Sequence, residues 1–426
     1  MQILVIGRGG REHAIVWSLS RSPKVNKVYC APGNGGIAKI AECVPIEENN
    51  FADIARFALD RKVDLVVVGP EDPLFGGIVD YLEERGIPAF GPRQNAAIIE
   101  GSKVFTKNLL KKYNIPTAAY ETFEDYDKAL EYLRKQPVPV VIKADGLAAG
   151  KGVTVARTME EAERALKEIM VDKTFGDSGN RVVIEEFLEG QEMSILSFVD
   201  GTTVCPMPPS QDHKPVYDHD KGPNTGGMGT YSPVPHIPQS VVDEAIATIV
   251  RPAAEAMAKE GRPFRGVLYA GLMLTPQGPK TVEFNARFGD PETQVILPRL
   301  ETDLADIFLA TVNGRLGEME IRWNDRAAVC VVMASGGYPG SYRKNVPIQG
   351  LDAAGQVPEE AIVFHAGTAL KDGQIVTNGG RVLGVTGLGA NIAEARERAY
   401  AAVERITFEG RHYRTDIARR ALEATI

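Results

Sequence analysis

Cysteine, histidine and tryptophan are scarce in this chain: four, six and two residues among 426. The cysteines (Cys30, Cys43, Cys205 and Cys330) are scattered, with no C-x-x-C pair. That spacing argues against a disulfide scaffold and reads as reduced, mostly buried thiols of a cytosolic protein. The histidines form no ligand-spaced pair with them, which argues against zinc. Positive charge is in deficit, with a net charge of −8 and no long run of like charges. A nucleic-acid or membrane-surface partner is therefore disfavoured, because such proteins usually carry a basic patch. Long apolar runs are missing too: no stretch approaches the roughly 18 residues needed to span a bilayer. The opening "MQILVIGRGG" reads as a short buried strand ending in glycines, not as a signal peptide. Low-complexity tracts and internal repeats are also absent. What remains is an ordinary globular composition, 44% hydrophobic and 24% charged. The length suits roughly two to four domains.

Short apolar runs alternate with helical patterns over the first hundred residues. "QILVI" (2–6), "KVYC" (27–30), "DLVVVG" (64–69) and "PAF" (88–90) read as strands. The stretches 12–20, 51–60 and 73–86 read as helices. "DLVVVG" is apolar throughout, as in a parallel sheet covered on both faces, so this part is expected to be a doubly wound α/β domain. "SKVFTKNLLKKYNIPT" (102–117) has a Ser N-cap, a helix and a break at Pro116, with a linker near 115–122. A small unit follows: helix 125–135, strand 138–143, a glycine loop, strand 153–156, helix 159–170 and strand 181–187. Strands 267–274 and 281–285 and a helix at 239–260 mark a third region. From about Ala327 a last α+β unit holds "AAVCVVMAS", the loop "GGYPGSY", "RVLGVTG" and helix 392–406.

The glycine loop "KADGLAAGKGV" (143–153) is not a P-loop. Gly146, Gly150 and Lys151 are one residue too closely spaced, and Gly152 stands where a Ser or Thr would ligate Mg²⁺. Both flanks are strands, so it is a hairpin loop. Such a loop can fold over triphosphate oxygens and offer N–H groups without side-chain bulk; a flexible hairpin that binds nothing is the lesser alternative. "GRGGREHA" (7–14) follows a strand and opens a helix. Glu12 occupies the third-glycine position of a dinucleotide fingerprint, and no acid closes the second strand near Tyr29. A dinucleotide is disfavoured; a single phosphate still suits the turn, with Arg11 and Arg8 adding positive charge.

"TVEFNARFGDPETQ" (281–294) is the most specific stretch. Alternation puts Glu283 and Asn285 on one strand face, with Val282 and Phe284 toward the core. The two side-chain oxygens make a hard site suited to Mg²⁺. Arg287 continues the alternation if the strand persists, and could grip a carboxylate or phosphate in bidentate fashion. The pattern alone also fits a solvated polar face. "EEFLEGQE" (185–192) ends an apolar strand in acids, followed by Phe187 and Leu188; taken alone it fits a strand end with solvated carboxylates best, but in a nucleotide site Phe187 and Leu188 could pack on an adenine while Glu192 could take ribose hydroxyls. "SQDHKPVYDHDKGPNTGGMGTYSP" (210–233) is too polar and glycine-rich for a core element and reads as a long functional loop.

"GGREHA", "KADGLAAGKGV", "EEFLEGQE", "SQDHK", "GPNTGGMG", "EFNARFGDPETQ" and "GGYPG" occur in this order along the chain. Together they resemble the ATP-grasp superfamily and, within it, the glycinamide ribonucleotide synthetase (phosphoribosylamine–glycine ligase) family of purine biosynthesis. "RFGDPE" is close to diagnostic, whereas the glycine hairpin marks only the superfamily. The resemblance implies an N-terminal α/β domain (1–102), a linker helix (103–122), an ATP-grasp lid (123–187), a central ATP-grasp subdomain (188–324) and a C-terminal α+β domain (325–426). ATP is then expected between the two ATP-grasp subdomains. Lys103, Lys143, Gly146, Gly150, Lys151 and Gly152 would meet its phosphates; Glu185, Phe187, Leu188 and Glu192 would hold adenine and ribose; and Glu283 and Asn285 would bind Mg²⁺ or Mn²⁺. Gly9, Gly10, Arg11, Glu12, Asn34, Gly35 and Glu71 would border phosphoribosylamine. Asp212, Lys214, Gly226, Gly227, Gly229, Arg287 and Asp290 would line the region where glycine meets both partners, with Arg287, Lys143 and Asp290 catalytic.

The implied reaction is ATP + glycine + 5-phosphoribosylamine giving glycinamide ribonucleotide, ADP and phosphate through glycyl phosphate. The implied partners are these small molecules, in the cytoplasm, with no nucleic acid or membrane. A monomer and transient contact with neighbouring purine-pathway enzymes are compatible with it. Arg8 stands where family members often have Asn, the stretch 217–220 varies, and "GVLYAGLML" (266–274) lacks the second metal carboxylate that many ATP-grasp enzymes carry. Another ATP-grasp ligase, such as a purine-pathway carboxylase, an NAD-dependent oxidoreductase and a non-catalytic nucleotide sensor are the competing readings.

Overall fold

The computed structural model describes residues 1–148, 151–357 and 361–424. The apolar run at the N-terminus becomes the middle strand, Gln2–Gly7, of a five-stranded parallel sheet. Its order is Glu42–Cys43, Lys27–Pro32, Gln2–Gly7, Leu65–Val68, Ala89–Phe90. Leu65–Val68 is buried throughout, as a strand covered on both faces must be. The strand order reverses between Gln2–Gly7 and Leu65–Val68, and a crevice forms beyond their carboxyl ends. The region expected as one helix over 73–86 is two short ones, Glu71–Phe75 and Ile78–Glu83. Gly77 separates them with φ +85°, a left-handed conformation that favours glycine.

Ser102 accepts a hydrogen bond from the Phe105 N–H and starts the helix Lys103–Lys112. The lid sheet begins at Tyr120–Phe123, inside the stretch expected as linker, because that strand pairs with Val182–Glu186. Val182–Glu186 pairs in turn with Val140–Ala144, and this with Val153–Ala156. Alternation decides the two faces of this sheet. Val140, Ile142, Ala144, Ala156, Val182 and Ile184 join the helices Tyr126–Leu133 and Met159–Met170 in a core of the lid's own. Val141, Lys143, Val153, Val155, Val183 and Glu185 lie on the other face.

The central sheet is antiparallel, in the order Val204–Pro206, Gln191–Asp200, Arg265–Thr275, Gly278–Asn285. Its last pairing carries a bulge: Gly271 faces Glu283 while Leu272 faces Thr281, so Val282 is the extra residue. Thr281 and Phe284 are therefore buried, and Val282, expected in the core, is half-buried. The strand ends at Asn285, before Arg287.

The stretch 210–233, expected as a loop outside the core, contributes two strands to the C-terminal sheet. That sheet runs Gln211–Asp212, Gly229–Ser232, Ala327–Ala334, Arg381–Gly389, Ala361–His365. Gly229–Ser232 is buried at every residue, and Gly229 packs under Ile417. Its polarity misled because Thr230 and Ser232 hydrogen-bond the carbonyls of Gln211 and Pro209. The C-terminal sheet is thereby stitched into the central region.

Candidate active site

The glycine turn after the first strand is filled by a side chain. Glu12, only 1% exposed, packs against Gly7 and Gly69, at the carboxyl ends of the two strands flanking the order reversal. A Cβ on Gly69 would sit 2.7 Å from Glu12. A carboxylate thus plugs the place where a dinucleotide's pyrophosphate would lie, which deepens the argument against NAD. Burial raises the Glu12 pKa, with Arg11 pulling the other way from 3.0 Å. Arg11 also donates to the Phe288 carbonyl. Arg8 spends its charge on Glu47 and Glu48 and leaves the turn without it. Asn34 is saturated: its amide donates to the carbonyls of Arg8 and His365 and accepts from the N–H groups of Gly36 and Ile37. Gly35 lies against Thr368 and Ala369. Asn34 and Gly35 therefore fasten the N-terminal domain to the C-terminal one at the edge of this crevice.

The next wall is the "RFGDPE" turn. Asp290 accepts from the Arg11 N–H at 3.2 Å and from the Gln294 amide at 2.8 Å. Burial opposes its ionisation, but Arg381 and Arg11 outweigh that and hold its pKa below the ordinary value. Arg287 approaches Glu71 at 3.4 Å and Glu100 at 3.2 Å. Glu100 also accepts the Ala286 N–H at 2.7 Å. Burial pushes the Glu100 carboxyl up to about 7 although Arg287 opposes the rise. Arg287 and Glu71, both expected here, are thus brought together, and Glu100 completes the clamp. Glu100 carries no motif; it precedes Ser102 in a helix of mixed polarity, and sequence reasoning passed over it.

Glu283 and Asn285 do share a face, as alternation requires. Glu283 retains 42% of its side chain exposed, and Lys214 stands 3.8 Å away. Burial opposes ionisation of Glu283, but Lys214, Lys143, Arg287 and Lys103 together hold its pKa down. Gly271 faces Glu283 across the sheet, at the preceding-strand position where no carboxylate was found in the sequence. Among the described residues no three His, Cys, Asp or Glu side chains converge to hold a metal ion. One carboxylate and one carboxamide suit Mg²⁺, which prefers few protein ligands with water and phosphates completing its shell. Next to them Tyr269 donates to Glu292 at 3.0 Å and meets Ser194 at 2.8 Å. Burial and the neighbouring acids Glu292, Glu192 and Glu283 push Asp212 up to about 7 against the pull of Lys214.

Lys143 and Glu185 are diagonal neighbours on the cleft face of the lid and form an ion pair. Lys107, from the helix Lys103–Lys112, pairs with the same carboxylate at 2.5 Å and bonds Thr117 and Ala118. Both lysines and Glu185 are less than 10% exposed. Burial raises the Glu185 pKa, but Lys143 and Lys107 overcome it and the net shift is downward. The Glu185 carboxylate is thus engaged by cations. Lys107 is one helical turn from Lys103, an i, i+4 relation that could have flagged it. Lys103 donates to the Gly146 carbonyl at 3.0 Å, tying the helix to the glycine loop. Gly146 has φ +122°. Gly152 is buried and Lys151 exposed, while Gly150 lies outside the described residues. Phe187 and Leu188 are half-buried and Glu192 is exposed. Arg157 stacks 5.8 Å over the Phe187 ring.

A small lid sheet facing a central sheet, lysines on one side and a Glu/Asn pair on the other, defines an ATP-grasp protein. The likeness to the biotin carboxylase domain of Hydrogenobacter thermophilus 2-oxoglutarate carboxylase agrees in fold, with TM-score 0.75 at 16% identity over 97% of this chain and 91% of that one. The chain belongs to the phosphoribosylglycinamide synthetase family. Its N-domain model matches residues 1–100, its ATP-grasp (A) domain model 101–293 and its C-domain model 328–420. A phosphoribosylamine–glycine ligase of Caldanaerobacter subterraneus subsp. tengcongensis is 52% identical over 98% of this chain and 99% of its own length. One of Halalkalibacterium halodurans is 50% identical, covering 99% and 97%. The crystal structure of the Thermotoga maritima phosphoribosylamine–glycine ligase superposes with TM-score 0.85 at 38% identity, covering 98% of this chain and all of that one.

Proposed function

We propose that this chain joins glycine to 5-phosphoribosylamine at the expense of ATP, releasing ADP, phosphate and glycinamide ribonucleotide in the cytoplasm. The observation that carries the reading is that the lid face with Lys143 and Glu185 comes close enough to the strand with Glu283 and Asn285 for Lys143 and Lys103 to hold the Glu283 pKa down, and that this strand leads into "RFGDPE". Its family membership supports the choice among ATP-grasp reactions.

A carboxylate resists amine attack because its charge repels the nucleophile and oxide is a hopeless leaving group. If one glycine carboxylate oxygen attacks the γ-phosphorus, ADP leaves and glycyl phosphate forms. The amine then attacks the acyl carbon, a tetrahedral oxyanion collapses, and phosphate leaves. Such transfers need positioning and charge neutralisation more than protein nucleophiles. Lys103 and Lys143 take the phosphates, with the glycine-loop N–H groups above them. The exposed Val153 and Val155 on the lid face, with Phe187 and Leu188, offer apolar surface to the adenine. Glu283 and Asn285 would hold Mg²⁺ or Mn²⁺, which would neutralise phosphate charge when bound. Arg287, released from Glu71 as substrate enters, faces the developing charge on the acyl and phosphoryl oxygens. Glu71 is then free to receive the amine of the sugar. Asp212, Lys214, Gly226, Gly227 and Gly229 border glycine; Gly9, Gly10, Arg11 and Glu12 border the sugar, with Asn34 and Gly35 at the rim. The lid folds down and keeps water from glycyl phosphate.

ADP release measured with ATP, glycine and freshly made phosphoribosylamine, each omitted in turn, tests this. ADP formation that needs all three is expected. AMP with pyrophosphate, or ADP formation indifferent to glycine, overturns it.

A further inference from the structure

The "GGYPG" turn and the strand that starts at Arg381 have no part in the chemistry above, yet they meet it. The Arg381 guanidinium reaches out of the C-terminal sheet between two turns. Its Nη1 donates to the Asp290 carbonyl at 2.9 Å and to the Gly227 carbonyl at 3.3 Å. Its Nη2 lies 3.8 Å from the Asp290 carboxylate. The backbone carrying it is fixed, since the Gly367 N–H donates to its carbonyl at 2.9 Å and the Ser335 N–H donates to the Gly380 carbonyl at 2.7 Å. Tyr338, from "GGYPG", packs on Gly380 and accepts the exposed Gly226 N–H at 3.3 Å.

The first two glycines of "TGGMG" have different reasons to be glycine. Gly227 has φ +127°, and a Cβ there would also meet Pro291 at 2.6 Å. Gly226 has no such conformation; its Cβ would sit 2.8 Å from the Arg381 Cζ. At 226 a side chain would have to displace the Arg381 guanidinium from its place against the turn.

We propose that Arg381, seconded by Tyr338, is a positioning residue that holds the Gly226–Gly227 turn and the Asp290 turn at a fixed separation. It acts through those backbones and is not itself assigned a substrate contact. The inference rests on the reading that these turns border the glycine and sugar end of the cleft. The partners of Arg381 lie in that end, whereas the nucleotide end is built from Lys103, Lys143 and the lid. Loss of Arg381 therefore acts selectively on two of the three substrates.

Steady-state kinetics on the full chain, with binding of a non-hydrolysable ATP analogue measured in parallel, tests this. Arg381→Met should raise KM for glycine and phosphoribosylamine by about tenfold or more and lower kcat, while analogue affinity stays within about twofold. Arg381→Lys should recover part of the loss, because an ammonium can bond one carbonyl but not span two. Gly226→Ala should reproduce the defect by pushing the guanidinium aside, and in an Arg381→Ala background it should add nothing. Wild-type-like KM values in Arg381→Met, analogue affinity falling in step with turnover, or additive effects of Gly226→Ala and Arg381→Ala would each overturn the inference. If Arg381→Met does not fold, Arg381→Lys and Tyr338→Phe carry the same comparison. Wild-type protein that consumes no glycine defeats the functional reading instead, while active wild type with indifferent variants defeats only this one.

Discussion

At the residue scale, the proposed site is a set of cations and carboxylates held against each other. Arg287 is clamped by Glu71 and Glu100. Removing it leaves Glu100 buried, but that carboxyl already titrates at about 7, so protonation limits the penalty. Arg287→Ala should cost about 10²–10³-fold in kcat, the scale of one lost transition-state donor, and only a few degrees in Tm. Melting that collapses in parallel with activity would make the residue structural. Glu283→Gln keeps the shape and removes the charge; the Mg²⁺ concentration at half-maximal activity should rise about tenfold or more. An unchanged metal titration would remove Glu283 from the site. Lys107→Met leaves Lys143 to compensate Glu185, which withdraws Lys143 from the phosphates, so KM for ATP should rise about tenfold. Unaltered ATP kinetics would dismiss that coupling. The shared face of Glu283 and Asn285 was legible from alternation along the strand, whereas Arg287 and Asp290 lie beyond its end and were singled out by the "RFGDPE" resemblance. Glu100, Lys107 and Arg381 were not, since each acts on a partner distant in sequence: Glu100 on Arg287, Lys107 on Glu185, Arg381 on Gly227.

At the element scale, the lid has a core of its own and touches the rest through polar bonds such as Lys103 to Gly146 and Val104 to Asp145. Few apolar contacts cross, which is the condition for a segment that moves as a unit. Gly146→Ala would force a Cβ at φ +122° to within 2.7 Å of the Ser178 hydroxyl. It should lower kcat while leaving global melting nearly unchanged, read by activity and differential scanning side by side. A large fall in Tm would show that the loop is part of the stable frame. Here local pattern served well: the strand Val153–Ala156 and the helix Met159–Met170 fall at the bounds expected from the sequence, and in the structure Thr158 caps the helix by accepting the Glu161 N–H. It failed at Gly229–Ser232, a buried strand whose polar groups are satisfied by tertiary neighbours that no local window contains. It failed also at Val282, because a bulge depends on the partner strand.

At the scale of the whole molecule, the N-terminal and C-terminal domains meet over two buried histidines. The His365 N–H donates to His13 Nδ1 at 2.6 Å, and the His365 ring bonds Gly355 and Thr368. Burial pushes His365 down from 6.5 to about 4. The unfolded chain takes up that proton first, so this contribution to stability is complete above pH 6.5 and is lost as pH falls from 6.5 to 4. The shift corresponds to about 3 kcal/mol. Glu100 and Asp212, raised to about 7, act in the opposite sense over part of this window. The difference between wild type and His365→Gln isolates the histidine: the wild-type advantage in denaturant unfolding should shrink as pH falls from 6.5 to 4. A pH-independent difference would contradict the buried neutral ring. The central claim concerns the cleft that these domains frame, in which a glycine oxygen is transferred to phosphorus beneath the lid. Glycine labelled with ¹⁸O in its carboxylate tests it most directly, by mass spectrometry of the phosphate released during turnover with ATP and phosphoribosylamine. One labelled oxygen in each inorganic phosphate is the predicted result; unlabelled phosphate, or label recovered in AMP, would contradict it.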